Sequence, residues 1–98
     1  FKDLDKILKI PFLDALFIGP YDLSSSLKKP GKFDDKSFKT LEKQLLKSCL
    51  KNRITAGIHV VSYNFQEVKK KIKLGYNFVA FCTDTKFLSH SSKIKKFL

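Results

Sequence analysis

Apolar residues in this chain follow two alternating patterns: short unbroken runs, and residues recurring every three or four positions. The runs are Ala15 to Ile18, Ala56 to Val61 and Phe78 to Cys82. Each has strand length and little alternation, which predicts strands buried on both faces, as in a parallel sheet. Between them the spacing is helical. Leu4, Ile7 and Leu8 share one face of a helix predicted over 2–9, which Pro11 ends. Phe38, Leu41, Leu45 and Cys49 share a face of a second helix, which Asp34 or Asp35 can cap. Phe65, Val68 and Ile72 are expected to face inward from a third, with Asn64 as its cap and Gly75 as its terminator. A last helical segment from about Thr85 to Leu98 carries Phe87, Leu88, Ile94, Phe97 and Leu98 as its apolar set.

The order is a helix followed by three strand-helix units. That alternation predicts an α/β fold with right-handed crossovers and a parallel sheet. Three units cannot close an eight-stranded barrel, which needs about 250 residues. They leave apolar strand faces and sheet edges open to water. With no Met at position 1 and an amphipathic pattern already under way there, the expectation is a partial domain spanning 1–98.

Composition narrows the function classes. A hydrophobic fraction of 43% is ample for a core and excludes a disordered tail. No apolar run approaches the roughly 20 residues of a membrane span, and no cleavable signal is visible. The formal charge of +11 invites a nucleic-acid reading, yet Arg53 is the only arginine. Phosphate and base recognition favour the planar arginine fork. Lys39, Lys43, Lys47 and Lys51 fall between apolar positions, and Lys69-Lys70-Lys71 reads as another solvated helix face. Neither a nucleic-acid nor a membrane partner is therefore expected. A non-catalytic basic nucleic-acid-binding module is the rival from a different class, and steep salt dependence of polyanion binding would mark it. Cys49 and Cys82 have no His or Cys at metal-ligand spacing, so both read as buried reduced thiols, as in a cytoplasmic enzyme.

Candidate chemistry concentrates after the first run. Gly19-Pro20 stops the strand, Asp22 follows, and Ser24 to Ser26 offer capping hydroxyls. A carboxylate at the exit of a buried parallel strand is where α/β enzymes place their chemistry. The plainer reading of Asp22 is a turn cap bonded to neighbouring amides. His59 on the second run is by itself a hydrogen-bonded core histidine. Asp84 reads as a helix cap, and His90, between serines, as solvated.

Phe17-Ile18-Gly19-Pro20-Tyr21-Asp22-Leu23-Ser24 resembles the signature loop of the HpcH/HpaI aldolases. The resemblance continues through Lys29-Pro30-Gly31-Lys32-Phe33-Asp34, Ala56-Gly57-Ile58-His59-Val60-Val61, Gly75-Tyr76-Asn77-Phe78-Val79-Ala80 and Asp84-Thr85-Lys86-Phe87-Leu88. It implies the carboxy-terminal part of a TIM (β/α)8 barrel, units six to eight. The implied activity is a class II, metal-dependent aldolase that cleaves a 4-hydroxy-2-oxo acid to pyruvate and an aldehyde. A citrate-lyase-like or malyl-CoA-lyase-like enzyme is the alternative within the superfamily. The resemblance makes Asp22 a ligand of a divalent ion (Mg²⁺, Mn²⁺ or Co²⁺). It makes the Gly19, Pro20, Tyr21 and Asp22 backbone the 2-oxo acid cradle, and His59 and Thr83 specificity positions beside the aldehyde. The family's Glu ligand, its substrate-binding Arg and its His-containing base pair would lie upstream of Phe1. No catalytic residue is therefore expected within these 98 positions, and the chain alone is expected to be inactive. The full-length form is expected to be a homo-oligomer that exchanges its last helix, with Ile94, Phe97 and Leu98 in the packing.

Overall fold

Each apolar run forms a strand, and the three lie side by side in one parallel sheet, in chain order. The computed structural model describes residues 3–92. Its elements are α1 (Leu4–Leu8), β1 (Ala15–Ile18), α2 (Pro20–Ser26), α3 (Lys36–Lys51), β2 (Thr55–Val60), α4 (Phe65–Leu74), β3 (Phe78–Phe81) and α5 (Asp84–Ser92). β2 is central, with Phe17 opposite Gly57, Gly57 opposite Phe78, and His59 opposite Ala80. None of the described helices is long and apolar enough to cross a membrane.

The core lies on one face of this sheet. Ile18, Ala56 and Ile58 pack there with Leu4 and Leu8 of α1, Leu45 and Cys49 of α3, and Tyr76. Side chains alternate across a strand, so the other face carries Phe17, Gly57, His59, Phe78 and Ala80. Phe17 and Phe78 are 46% and 55% exposed, so the expected burial on both faces holds only on the helical side of the described residues. Their rings meet edge to face at 5.5 Å, across the central strand. A Cβ at Gly57 would stand 2.6 Å from the Phe17 ring and 3.0 Å from the Phe78 carbonyl oxygen, so only glycine lets the rings meet.

The helix ends follow local chemistry. Asn64 Oδ1 accepts from the Gln66 and Glu67 amides at the start of α4, and Gly75, at φ 121°, ends it. Of the two candidate caps for α3, Asp35 is the one used. Its carboxylate accepts from the Ser37 amide at 2.9 Å and from the Ser37 hydroxyl, and Lys29 Nζ lies 2.9 Å away. These bonds, the Ser37 hydroxyl first, hold the Asp35 carboxyl well below the usual carboxylate range. A depressed folded-state value means that the stabilisation is complete above the unfolded-state value near 4 and is lost as pH falls below it. Protection of the first-turn amides of α3, taken relative to intrinsic exchange rates, should therefore fall below about pH 4 in the native protein and much less so in Asp35→Asn.

Two further expectations are corrected. Phe65 and Ile72 are 58% and 56% exposed and Val68 is half-buried, so the apolar stripe of α4 is largely uncovered. α4 flanks the β2–β3 edge of a three-stranded sheet, where only part of its surface finds a neighbour; Phe65 stacks on Phe81 at 4.8 Å. Lys71 does not sit on an outer face. Its Nζ lies 2.7 Å from Glu42 Oε2, and the Tyr76 hydroxyl donates to the same oxygen at 2.9 Å. Burial, reinforced by the Glu42 charge, pushes the Tyr76 phenol far above its ordinary range. His90 is exposed, as expected, and its ring also stacks on Tyr63 at 4.0 Å. Cys49 and Cys82 are buried free thiols, and burial pushes the Cys49 thiol up. The predicted positions Ile94, Phe97 and Leu98 lie outside the described residues.

Candidate active site

All three strands point their carboxyl ends toward one rim, so the segments leaving them gather there. At the end of β1 the expected Gly-Pro loop is the start of a helix. Gly19 is the N-cap of α2 with extended backbone, and Pro20 occupies the first helical position, where its fixed φ fits and no N–H is needed. Asp22 therefore lies in the first turn, exposed to solvent, with its carboxylate folded back over Gly19. A Cβ at Gly19 would approach Asp22 Oδ2 to 2.9 Å, so this fold-back requires a bare backbone at position 19.

The serines that follow cap no later helix, because they belong to α2. Ser24 is fully buried; its hydroxyl donates to the Tyr21 carbonyl at 3.0 Å and accepts from the Gly31 amide at 2.9 Å. That pair of bonds ties α2 to the loop before α3. The loop returns Phe33 to the Tyr21 ring, 5.0 Å away, and Phe33 in turn packs on Phe38 at 5.5 Å.

A cavity of about 290 Å³ opens beneath this rim. Pro20, Tyr21, Phe33 and Phe38 contribute apolar wall; Ile58, His59, Val60, Val61 and Ser62 supply the end of β2 and its exit; Asp34, Glu67, Lys71 and Lys86 add charge. It has the mixed lining, mostly apolar with a few polar groups, of a small-molecule site. Pro20, Tyr21 and His59 thus come together. Gly19 and Asp22 adjoin the cavity through the same turn without lining it.

His59 reaches across to the third strand. Its Nε2–H donates to the Cys82 carbonyl at 2.6 Å, which assigns the neutral ring its tautomer and leaves Nδ1 as the acceptor. Cys82 itself sits in the left-handed region, at φ 55°. Thr83 does not line the cavity. Its Oγ1 accepts from the Lys86 amide at 3.3 Å and bonds to the Thr85 hydroxyl at 3.2 Å, so Thr83 caps α5 beside Asp84. Phe33, Asp34, Ser62 and Lys86 were not anticipated. Ser62 stands just past the end of β2, which is the sequence signal for it, whereas Lys86 lies in the first turn of α5.

The carboxylates do not form a metal cage among the described residues. No three His, Cys, Asp or Glu groups converge there, and Asp22 stands as one oxygen donor. One carboxylate fits a hard divalent ion as part of a larger oxygen set, and does not define a site by itself.

A parallel sheet with helices on one face and a rim cavity at its carboxyl ends is an α/β enzyme architecture. The chain belongs to the HpcH/HpaI aldolase/citrate lyase family, whose model matches residues 1–91. No curated protein sequence matches it. Among solved structures, it is similar to an HpcH/HpaI aldolase/citrate lyase family protein from Burkholderia cenocepacia J2315, with TM-score 0.88 and 21% identity over 97% of this chain and 36% of that one. An HpcH/HpaI aldolase from Desulfitobacterium hafniense DCB-2 gives TM-score 0.85 and 20% identity over 98% and 37%. The citrate synthase SbnG gives TM-score 0.75 and 18% identity over 96% and 38%. These likenesses establish a shared fold. The chain spans between 36% and 38% of the length of these three relatives.

Proposed function

We propose that this chain forms the last three strand-helix units of a (β/α)8 barrel, within a carbon–carbon lyase that splits a 4-hydroxy-2-oxo acid into pyruvate (or a close relative) and an aldehyde. Two geometric facts support the barrel. The strands follow chain order without reversal, and the core helices pack on one face only. A doubly wound sheet reverses its strand order and carries helices on both faces.

The position of Asp22 carries the lyase reading. It is an exposed carboxylate at the carboxyl end of β1, one residue from the Tyr21 wall of the rim cavity, in a family of aldolases and citrate lyases. The first-turn amides of Tyr21 and Asp22 lack acceptors within α2, as the first amides of any helix do, and they hold the 2-oxo acid carboxylate. His59, its ring fixed by the Cys82 carbonyl, bounds the aldehyde end of the substrate. Thr83 acts more remotely, by fixing where α5 begins. Asp22 would supply one oxygen ligand to a divalent ion, which would act as a Lewis acid toward the oxo group. A second reading, a citrate-lyase-like or malyl-CoA-lyase-like enzyme, rests on the citrate lyases named in the family description.

Pyruvate release from a 4-hydroxy-2-oxo acid with Mg²⁺ or Mn²⁺ tests the proposal. The 98-residue chain alone should release none. A protein carrying the complete barrel should be active, and its Asp22→Asn variant should lose about 100-fold or more. Undiminished turnover in that variant would remove Asp22 from the chemistry.

A further inference from the structure

Residues of α3, of α4 and of the loop before α3 line a groove of about 510 Å³ on the helical side of the sheet. Five lysines line it, Lys39 and Lys43 from α3 and Lys70, Lys71 and Lys73 from α4, against three carboxylates, Asp34, Glu42 and Glu67. Two of those carboxylates are already engaged. Glu42 holds Lys71 at 2.7 Å and Tyr76 at 2.9 Å, and Glu67 holds Lys70 at 3.1 Å. Lys39, Lys43 and Lys73 have no carboxylate partner among the described residues. Lys39 and Lys43 are four apart on one helix and Lys70 and Lys73 three apart on the other, spacings at which like charges repel. Three ammonium groups without a carboxylate partner thus face one concave surface, with Asp34 as its remaining unengaged carboxylate.

We infer that this groove binds a small ligand bearing two or more linked phosphate groups. Charge complementarity selects the ligand. Ammonium groups are compact donors suited to phosphate oxygens, and a compact polyanion meets several of them at once while relieving their mutual repulsion. The groove adjoins the rim cavity, with which it shares Phe33, Asp34, Glu67 and Lys71, and its volume of about 510 Å³ suits a short ligand better than a polymer track. Arg53, the arginine that base or backbone recognition would use, lies in the turn before β2 and does not line the groove. The site is independent of the lyase reading.

Calorimetric titration of the full chain with tripolyphosphate, inorganic phosphate and a single-stranded oligonucleotide tests it, with no substrate present. Tripolyphosphate should bind saturably at one site and at least tenfold more tightly than inorganic phosphate. The variant Lys39→Gln/Lys43→Gln/Lys73→Gln should weaken it by about tenfold or more, because three charge-assisted contacts are lost. The equal-charge control Lys28→Gln/Lys32→Gln/Lys51→Gln, outside the groove, should bind almost normally. Equal weakening in both variants, unsaturable binding, or tighter binding of the oligonucleotide than of tripolyphosphate would overturn the inference.

Discussion

Replacing Glu42 by alanine should lower the unfolding free energy by about 3 kcal/mol, the usual loss when one partner of a buried ion pair is removed. Glu42 is 5% exposed on the inner face of α3, between Phe38 and Leu45, and it answers both Lys71 and the buried Tyr76 hydroxyl. Without it, the Tyr76 hydroxyl keeps its desolvation cost and loses its acceptor. The Lys71 side chain is 18% exposed and can turn partly to water, which holds the loss near the lower end of the usual range. Urea denaturation of the wild type, Glu42→Ala, Lys71→Ala and the double variant gives the coupling directly. Lys71→Ala should cost less than Glu42→Ala, and the pair should be coupled by more than about 1 kcal/mol. A Glu42→Ala midpoint matching the wild type would show that the α3–α4 clasp does not stabilise the fold.

A second large effect is expected at Gly57. Alanine there should cost about 2 kcal/mol and valine more, since added atoms meet both the Phe17 ring and the Phe78 backbone. The two collisions can be separated. Phe17→Ala removes the ring but not the carbonyl oxygen at 3.0 Å, so it should recover about half of the Gly57→Ala loss when the two are combined. Full additivity of the two changes would mean that the sheet flexes and the rings do not constrain position 57.

The parts of this structure that were legible in the sequence are those decided within a few residues. Asp35 and Asn64 were readable as caps because each bonds to amides two or three positions on, and Gly75 was readable because a positive φ ends a helix. The three strands were readable because apolar runs of strand length admit few alternatives beside helical periodicity. Misplaced residues are those whose environment is set from far along the chain. Lys71 sits in a run of three lysines that looks solvated from within, and a carboxylate 29 positions earlier draws it inward. Phe65 and Ile72 have inward spacing, but spacing cannot say whether a neighbour stands on that side. At Gly19-Pro20 two rules competed, loop punctuation against proline's fitness for the first helical position, and the second prevailed. The rim cavity followed the same division. Pro20 and Tyr21 were marked by their place at a strand exit and His59 by the family resemblance, whereas Phe33 and Asp34 arrive through the bonds of the Ser24 hydroxyl, which pattern alone does not reveal.

The common direction of the three strands also bears on how such a sequence can change over generations. Arg53 and the fully bared Phe12 stand where β2 and β1 begin, both at positive φ, while Tyr21, Ser62 and Lys86 cluster where the strands finish. In the proposed barrel, a lineage could trade residues at the first end to adjust thermal endurance while the second drifts toward a new substrate, with little cross-talk between the two kinds of selection.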